Sequence, residues 1–96
     1  MYAVVNTMTL TRPIDGELAS RMQAELMEQA KGVPGFVHAT FIATGDDQAV
    51  MVIVCDSPQS VRLLHDTVGA PWIRDHVQPQ VSAAERRLGP VLATTL

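Results

Sequence analysis

The chain has 96 residues, 47% of them hydrophobic, with seven Lys and Arg against ten Asp and Glu and a formal charge of −3. That length allows one compact domain over residues 1–96, with a modest core and no room for a second. The few, scattered cations exclude the basic stripe that a phosphate backbone requires, so no nucleic acid partner is expected. The first six residues carry no basic leader region and no apolar run approaches the ~18 residues of a membrane span, so a cytoplasmic protein without a membrane partner is expected. The single cysteine, Cys55, excludes an internal disulfide and reads as a small buried hydrophobe.

In chain order, residues 2–10 are rich in Val, Thr and Met without a helical stripe and predict a first strand, closed by Thr11-Arg12-Pro13. Asp15 then predicts a helix cap, and Leu18, Met22, Leu26 and Ala30 recur every four residues as an apolar stripe. Lys31-Gly32 predicts the stop, with glycine supplying a left-handed turn. Residues 36–44 predict a second strand, joined through the polar Gly45-Asp46-Asp47-Gln48 to a third beginning at Ala49, as in a hairpin. Asp56-Ser57-Pro58 predicts a cap followed by proline at the first helical position. Val61, Leu64, His65 and Val68 mark the buried stripe of a second helix that Gly69 ends; residues 70–77 restart as a shorter helix, and residues 88–96 predict the last strand.

The third strand, A-V-M-V-I-V-C over residues 49–55, is apolar on both alternating faces: Val50, Val52 and Val54 line one, Met51, Ile53 and Cys55 the other. Two helices cover only one face. Leaving three valines in water forfeits roughly 1.5–3 kcal/mol each, so a second copy of the chain is expected to cover them. The order β-α-β-β-α-β is the split βαβ, ferredoxin-like α+β arrangement with both helices on one face of an antiparallel sheet, closed by a two-fold homodimer.

Three side chains stand out for chemistry. His76 lies one helical turn after Trp72, on the same face. The pair reads either as a core anchor with a solvated polar neighbour or as the lining of a pocket, where imidazole accepts a proton or binds iron and indole stacks on a flat ligand. Asn6, an amide in mid-strand, is either satisfied by backbone or faces a cavity, because an unsatisfied buried amide costs about 1–3 kcal/mol. His38 reads as a surface or interface residue sharing a face with Phe36, Thr40 and Ile42. Arg86 and Arg87 read as solvent or interface charges. His65 and Asp66, adjacent in a helix, point about 100° apart and are not expected to pair. The histidines lack the spacing of a metal site, and no phosphate-binding glycine loop or G-x-S-x-G occurs.

The V-P-G-F turn at residues 33–36, D-S-P-Q-S-V at 56–61 and G-A-P-W-I-R-D-H at 69–76 resemble the antibiotic biosynthesis monooxygenase superfamily, the dimeric α+β barrel proteins, over nearly the whole chain. The resemblance implies a cofactor-independent monooxygenase that oxidises a small aromatic phenol or quinol with molecular oxygen, with Asn6, Trp72 and His76 as site residues. Asn6 would bind a substrate hydroxyl or an oxygen intermediate, Trp72 would stack on the ring, and His76 would take the phenolic proton. The haem-degrading branch ranks second: Asn6 and His76 stand where its asparagine and its histidine iron ligand are expected. Its tryptophan would fall near Leu64, whereas Trp72 lies in the following short helix. A third reading is a non-enzymatic dimeric small-ligand binder or structural module.

Overall fold

The computed structural model describes residues 1–96. Four strands, β1 (Tyr2–Leu10), β2 (Phe36–Gly45), β3 (Gln48–Cys55) and β4 (Val81–Pro90), form one antiparallel sheet in the order β2-β3-β1-β4. This is the ferredoxin-like α+β arrangement expected from the element order. Two helical arms cross one face. The first runs from α1 (Gly16–Arg21) through a π-helical turn (Met22–Leu26) into α2 (Met27–Lys31), and the second from α3 (Pro58–Leu64) through a π-helical turn (His65–Gly69) into α4 (Ala70–His76). A 3₁₀ turn, Gln78–Gln80, leads into β4.

Local chemistry explains most of the boundaries. The Asp15 carboxylate accepts from the Leu18 amide at 2.7 Å and starts the first arm. Ser57 does the same for Ser60 at 3.2 Å, ahead of Pro58 in the first turn of α3. The first arm ends at Gly32, but that residue remains right-handed (φ −82°); the left-handed position is Gly35 (φ +85°), where the chain turns into β2. Gly69 does not end the second arm. Pro71, which cannot donate to the preceding turn, is instead accommodated by the π-helical turn immediately before it, so the helix continues to His76.

β4 lies earlier than the apolar run at 88–96 suggests. Residues 81–90 pair along β1, from Leu10↔Val81 to Tyr2↔Pro90, while the chain beyond keeps only the Val91 amide bond to the Met1 carbonyl at 3.0 Å. A segment with Ser82, Glu85, Arg86 and Arg87 among small residues suits this place, because an edge strand with a largely uncovered surface needs no apolar alternation. A bulge between Phe36 and His38 also turns Phe36 toward the helices, so it does not share the face of His38, Thr40 and Ile42.

The core lies between sheet and arms: Val4, Met8, Ala49, Met51 and Cys55 meet Met22, Leu26, Val61, Leu64, Val68 and Trp72. The opposite sheet surface carries Val50 and Val52, half-buried by their own neighbours, with Val5 and Ile42 more than 40% exposed beside them.

A polar knot joins the start of β2 to the start of α3. The Asp56 amide donates to the Gly35 carbonyl at 2.8 Å, and the Ser60 hydroxyl donates to the Asp56 carboxylate at 2.6 Å. A Cβ on Gly35 would stand 2.1 Å from Ser60 Oγ and 2.3 Å from Asp56 Oδ1. Gly35→Ala should therefore lower stability by at least about 2 kcal/mol, combining left-handed strain with the clash, as read by urea unfolding. Hydrogen bonds from Ser60 and Ser57 hold the Asp56 carboxyl below its usual range. Its contribution is present above the unfolded-state pKa and is lost as pH falls through the lower folded value. Asp56→Asn should flatten that acid limb of the stability curve.

Candidate functional site

The helical arms pack over β1, β2 and β3 and do not extend across β4. Where they stop, a cavity of about 220 Å³ opens between the sheet and both arms. Its floor is apolar, built from Val4 and Met8 of β1, Met51 and Ile53 of β3, and Leu26 and Met27 of the first arm. The second arm presents Gly69, Ala70 and Ile73 to it; the two small residues leave the space that larger side chains would fill. The volume lies just under the ~300–1,000 Å³ typical of small-molecule sites, so the cavity suits a compact ring system.

Asn6 faces this cavity, flanked in register by Met51 on β3 and Arg86 on β4. The alternation of β1, which puts Asn6 on the side of Val4 and Met8, brings it there. Trp72 and His76 do not line the cavity. Their stripe of the second arm faces the first arm. Trp72 is 5% exposed; its indole N–H donates to Glu25 Oε1 at 3.2 Å, and its ring stacks on the His76 imidazole with centroids 4.3 Å apart. His76 Nδ1 donates to the Trp72 carbonyl at 3.0 Å, and Nε2 stands 4.0 Å from Glu25 Oε1. Glu25 also pairs with Arg21 at 3.3 Å. These groups form a latch between the two arms. Of the three residues singled out from the sequence, only Asn6 reaches the cavity.

The histidine that does line it is His65, in the π-helical turn. Contrary to the expectation for helical neighbours, its Nδ1 lies 3.0 Å from Asp66 Oδ1. Side-chain torsions on the two exposed residues close the angle between them, at a site where the helix is locally wide. With the ring proton directed to the carboxylate, Nε2 is the nitrogen with a lone pair. Arg86 and Arg74 complete the polar lining, together with Gln78, and no Asp or Glu lines the cavity. Arg86, expected at solvent or an interface, faces the cavity because it sits in register with Asn6, whereas Arg87 faces the other way and pairs with Glu85. His38 lies elsewhere, on the open sheet face, with Nε2 2.5 Å from Thr40 Oγ1. No group of three His, Cys, Asp or Glu side chains converges to hold a metal ion, and no helix is long and apolar enough to cross a membrane.

No family model matches the chain, and no curated protein matches its sequence. Solved structures do match. SnoaB, a cofactor-independent oxygenase from Streptomyces nogalater, superposes with a TM-score of 0.77 at 19% identity, over 98% of this chain and 95% of that one. The monooxygenase from the gene ActVA-Orf6 of Streptomyces coelicolor, solved with nanaomycin D, gives 0.74 at 21% identity over 99% and 90%. MhuD, in a mutant form with two manganese protoporphyrin IX molecules bound per active site, gives 0.68 at 16% identity over 99% and 98%. The chain thus has the fold of the antibiotic biosynthesis monooxygenase structures, over essentially its whole length. At these identities the likeness extends to architecture, and the chemistry has to be argued from the cavity.

The latch geometry makes a direct prediction for the residue first singled out. His76→Ala should cost roughly 0.5–1.5 kcal/mol through the lost ring stacking, measured by thermal or urea unfolding. Ligand binding in the cavity should be unchanged.

Proposed function

We propose that the protein is a cofactor-independent monooxygenase acting on a small aromatic phenol or quinol with molecular oxygen. The observation that carries this reading is an apolar cavity with Asn6 at its polar point and the His65–Asp66 pair at its rim. Such a reaction needs a dry place for an electron-rich ring, a base for the phenolic proton and a hydrogen-bonding group for oxygen. The neighbours SnoaB and the ActVA-Orf6 monooxygenase support the class by their described activities.

In this scheme His65 Nε2 takes the phenolic proton while Asp66 holds the ring and stabilises the imidazolium. The phenolate is electron-rich enough to pass one electron to dioxygen. The resulting superoxide and phenoxyl radical combine at a ring carbon, with the Asn6 amide donating a hydrogen bond to the bound oxygen and the His65 imidazolium returning its proton to the peroxide. Loss of water from the hydroperoxide leaves the quinone: phenol plus O₂ gives quinone plus H₂O, with all four electrons supplied by the substrate. The proton-accepting role first considered for His76 passes to His65, because His65 lines the cavity and His76 does not.

The haem reading does not fit His76. The imidazole it would use for iron, His76, has Nδ1 committed to the Trp72 carbonyl and Nε2 turned to Glu25, outside the cavity.

Oxygen consumption with a panel of phenols and naphthols tests the proposal. The wild type should consume oxygen in proportion to quinone formed, and His65→Ala should reduce kcat by about 10²–10⁴-fold, the usual contribution of a positioned base. Asn6→Ala should also lower kcat. Wild-type protein with no uptake above the uncatalysed rate would leave the non-enzymatic binder as the correct reading.

The open sheet face supports a homodimer. Val50 and Val52 run down the middle of that face, bordered by Val5 and Ile42, and a second copy would remove them from water; Val54, expected open beside them, is already buried within the single chain. Light scattering at micromolar concentration should give twice the 10.4 kDa chain mass. Val52→Asp should yield monomer or insoluble protein, since a buried unpaired carboxylate is costly.

A further inference from the structure

We propose that the cavity selects anionic aromatic ligands, seating the ring on its apolar floor and holding an acidic group, a carboxylate or sulfonate, at its mouth between Arg74 of α4 and Arg86 of β4. The inference rests on reading this cavity as the substrate site and adds the chemical class of what enters it. A neutral phenol needs only the floor, Asn6 and a base, so the two guanidinium groups are in excess of that requirement.

The fixed charges that line the cavity are of one sign: Arg74 and Arg86 are there with no Asp or Glu among the lining residues, although the whole chain carries a formal charge of −3, and the nearby Asp66 and Asp75 stand outside the lining against His65 and Arg74. Arg86 takes part in none of the chain's ion pairs. Its neighbour Arg87 is paired with Glu85 on the opposite sheet face, so the pattern of β4 leaves one arginine neutralised and one free toward the cavity. Arg74 reaches Asp75 only through Nε, at 3.2 Å and with 70% of its side chain exposed; its two terminal nitrogens remain available. An exposed pair of this kind contributes little and gives way to a better acceptor.

The two arginines come from elements on different sides of the opening, one helical and one from the edge strand that the helices leave uncovered. An acidic group with two or more oxygens can therefore accept from both, and guanidinium donors match a pair of such oxygens in geometry as well as charge. Placement at the mouth keeps the ion partly hydrated, which avoids the cost of burying a charge in the apolar floor. A local positive rim on a negative protein also concentrates anions at the opening.

Two fluorescent probes separate charge from ring. 8-Anilinonaphthalene-1-sulfonate and N-phenyl-1-naphthylamine share one aromatic skeleton, and only the first carries an acidic group. Titrations of wild type, Arg74→Gln, Arg86→Gln and Ala70→Phe with each probe should show sulfonate binding weakened about tenfold by either arginine change. Binding of the neutral probe should be unchanged in both, which also reports that the cavity is intact. Ala70→Phe should remove both probes, with circular dichroism showing retained secondary structure. The proposal is overturned if both arginine variants bind the sulfonate as the wild type does, if both probes weaken alike, if Ala70→Phe retains sulfonate binding, or if the wild type binds neither. These titrations are independent of turnover. Probe selectivity in a protein that consumes no oxygen would sink only the oxygenase reading; oxygen uptake on a neutral phenol without probe selectivity would sink only this one.

Discussion

Everything in this molecule follows from a mismatch of widths: two helical arms cover one face of a four-stranded sheet and run out before the last strand. β3 sits inside that cover and is apolar on both sides, whereas β4 sits outside it and is exposed almost throughout. The cavity opens at the step between the two. Its floor is the covered apolar surface of β1 and β3, and its rim is made by groups that remain wet. A helix over β4 would close the cavity, and a sheet without β4 would not create it.

The arms must also be held at a fixed separation for that space to persist. Glu25 performs this by accepting the Trp72 indole N–H, pairing with Arg21 and standing beside the His76 ring. The large aromatic surface of Trp72 is thereby spent on helix-to-helix packing. Both π-helical turns border the cavity, contributing Leu26 from one arm and His65 and Gly69 from the other. Locally wide turns are frequent where a helix must present side chains out of its regular phase. They explain how His65 reaches the rim while Val68 and Trp72 remain in the core.

The alternation of β3 and the caps at Asp15 and Ser57 were legible in the sequence because each depends on residues within a few positions of one another. Asn6 was legible as an anomaly for the same reason: an amide among apolar strand neighbours. Trp72 and His76 were read correctly as sharing a helical face, but a helical wheel does not say which neighbour a face meets, and this one meets the other helix. The His65–Asp66 pair was discounted by an argument from backbone angles, which side-chain torsions circumvent. β4 was displaced because hydrophobicity was taken as the mark of a strand, and an edge strand at the rim of a cavity is selected for its polar groups instead. Arg86 becomes visible only once β4 is placed in register with Asn6.

The strand order has a consequence for how the chain acquires its shape. β1 precedes the other three strands along the chain, yet its two neighbours in the sheet are β3 and β4, the last strand of the four. The β2-β3 hairpin joins partners that are close along the chain and can form early, whereas β1 cannot be flanked on both sides until β4 is present. Until then its valines and methionines are an unprotected edge, and β4 is the piece that closes it. The strand least suited by composition to a hydrophobic core is thus the one on which the solubility of the nascent chain depends.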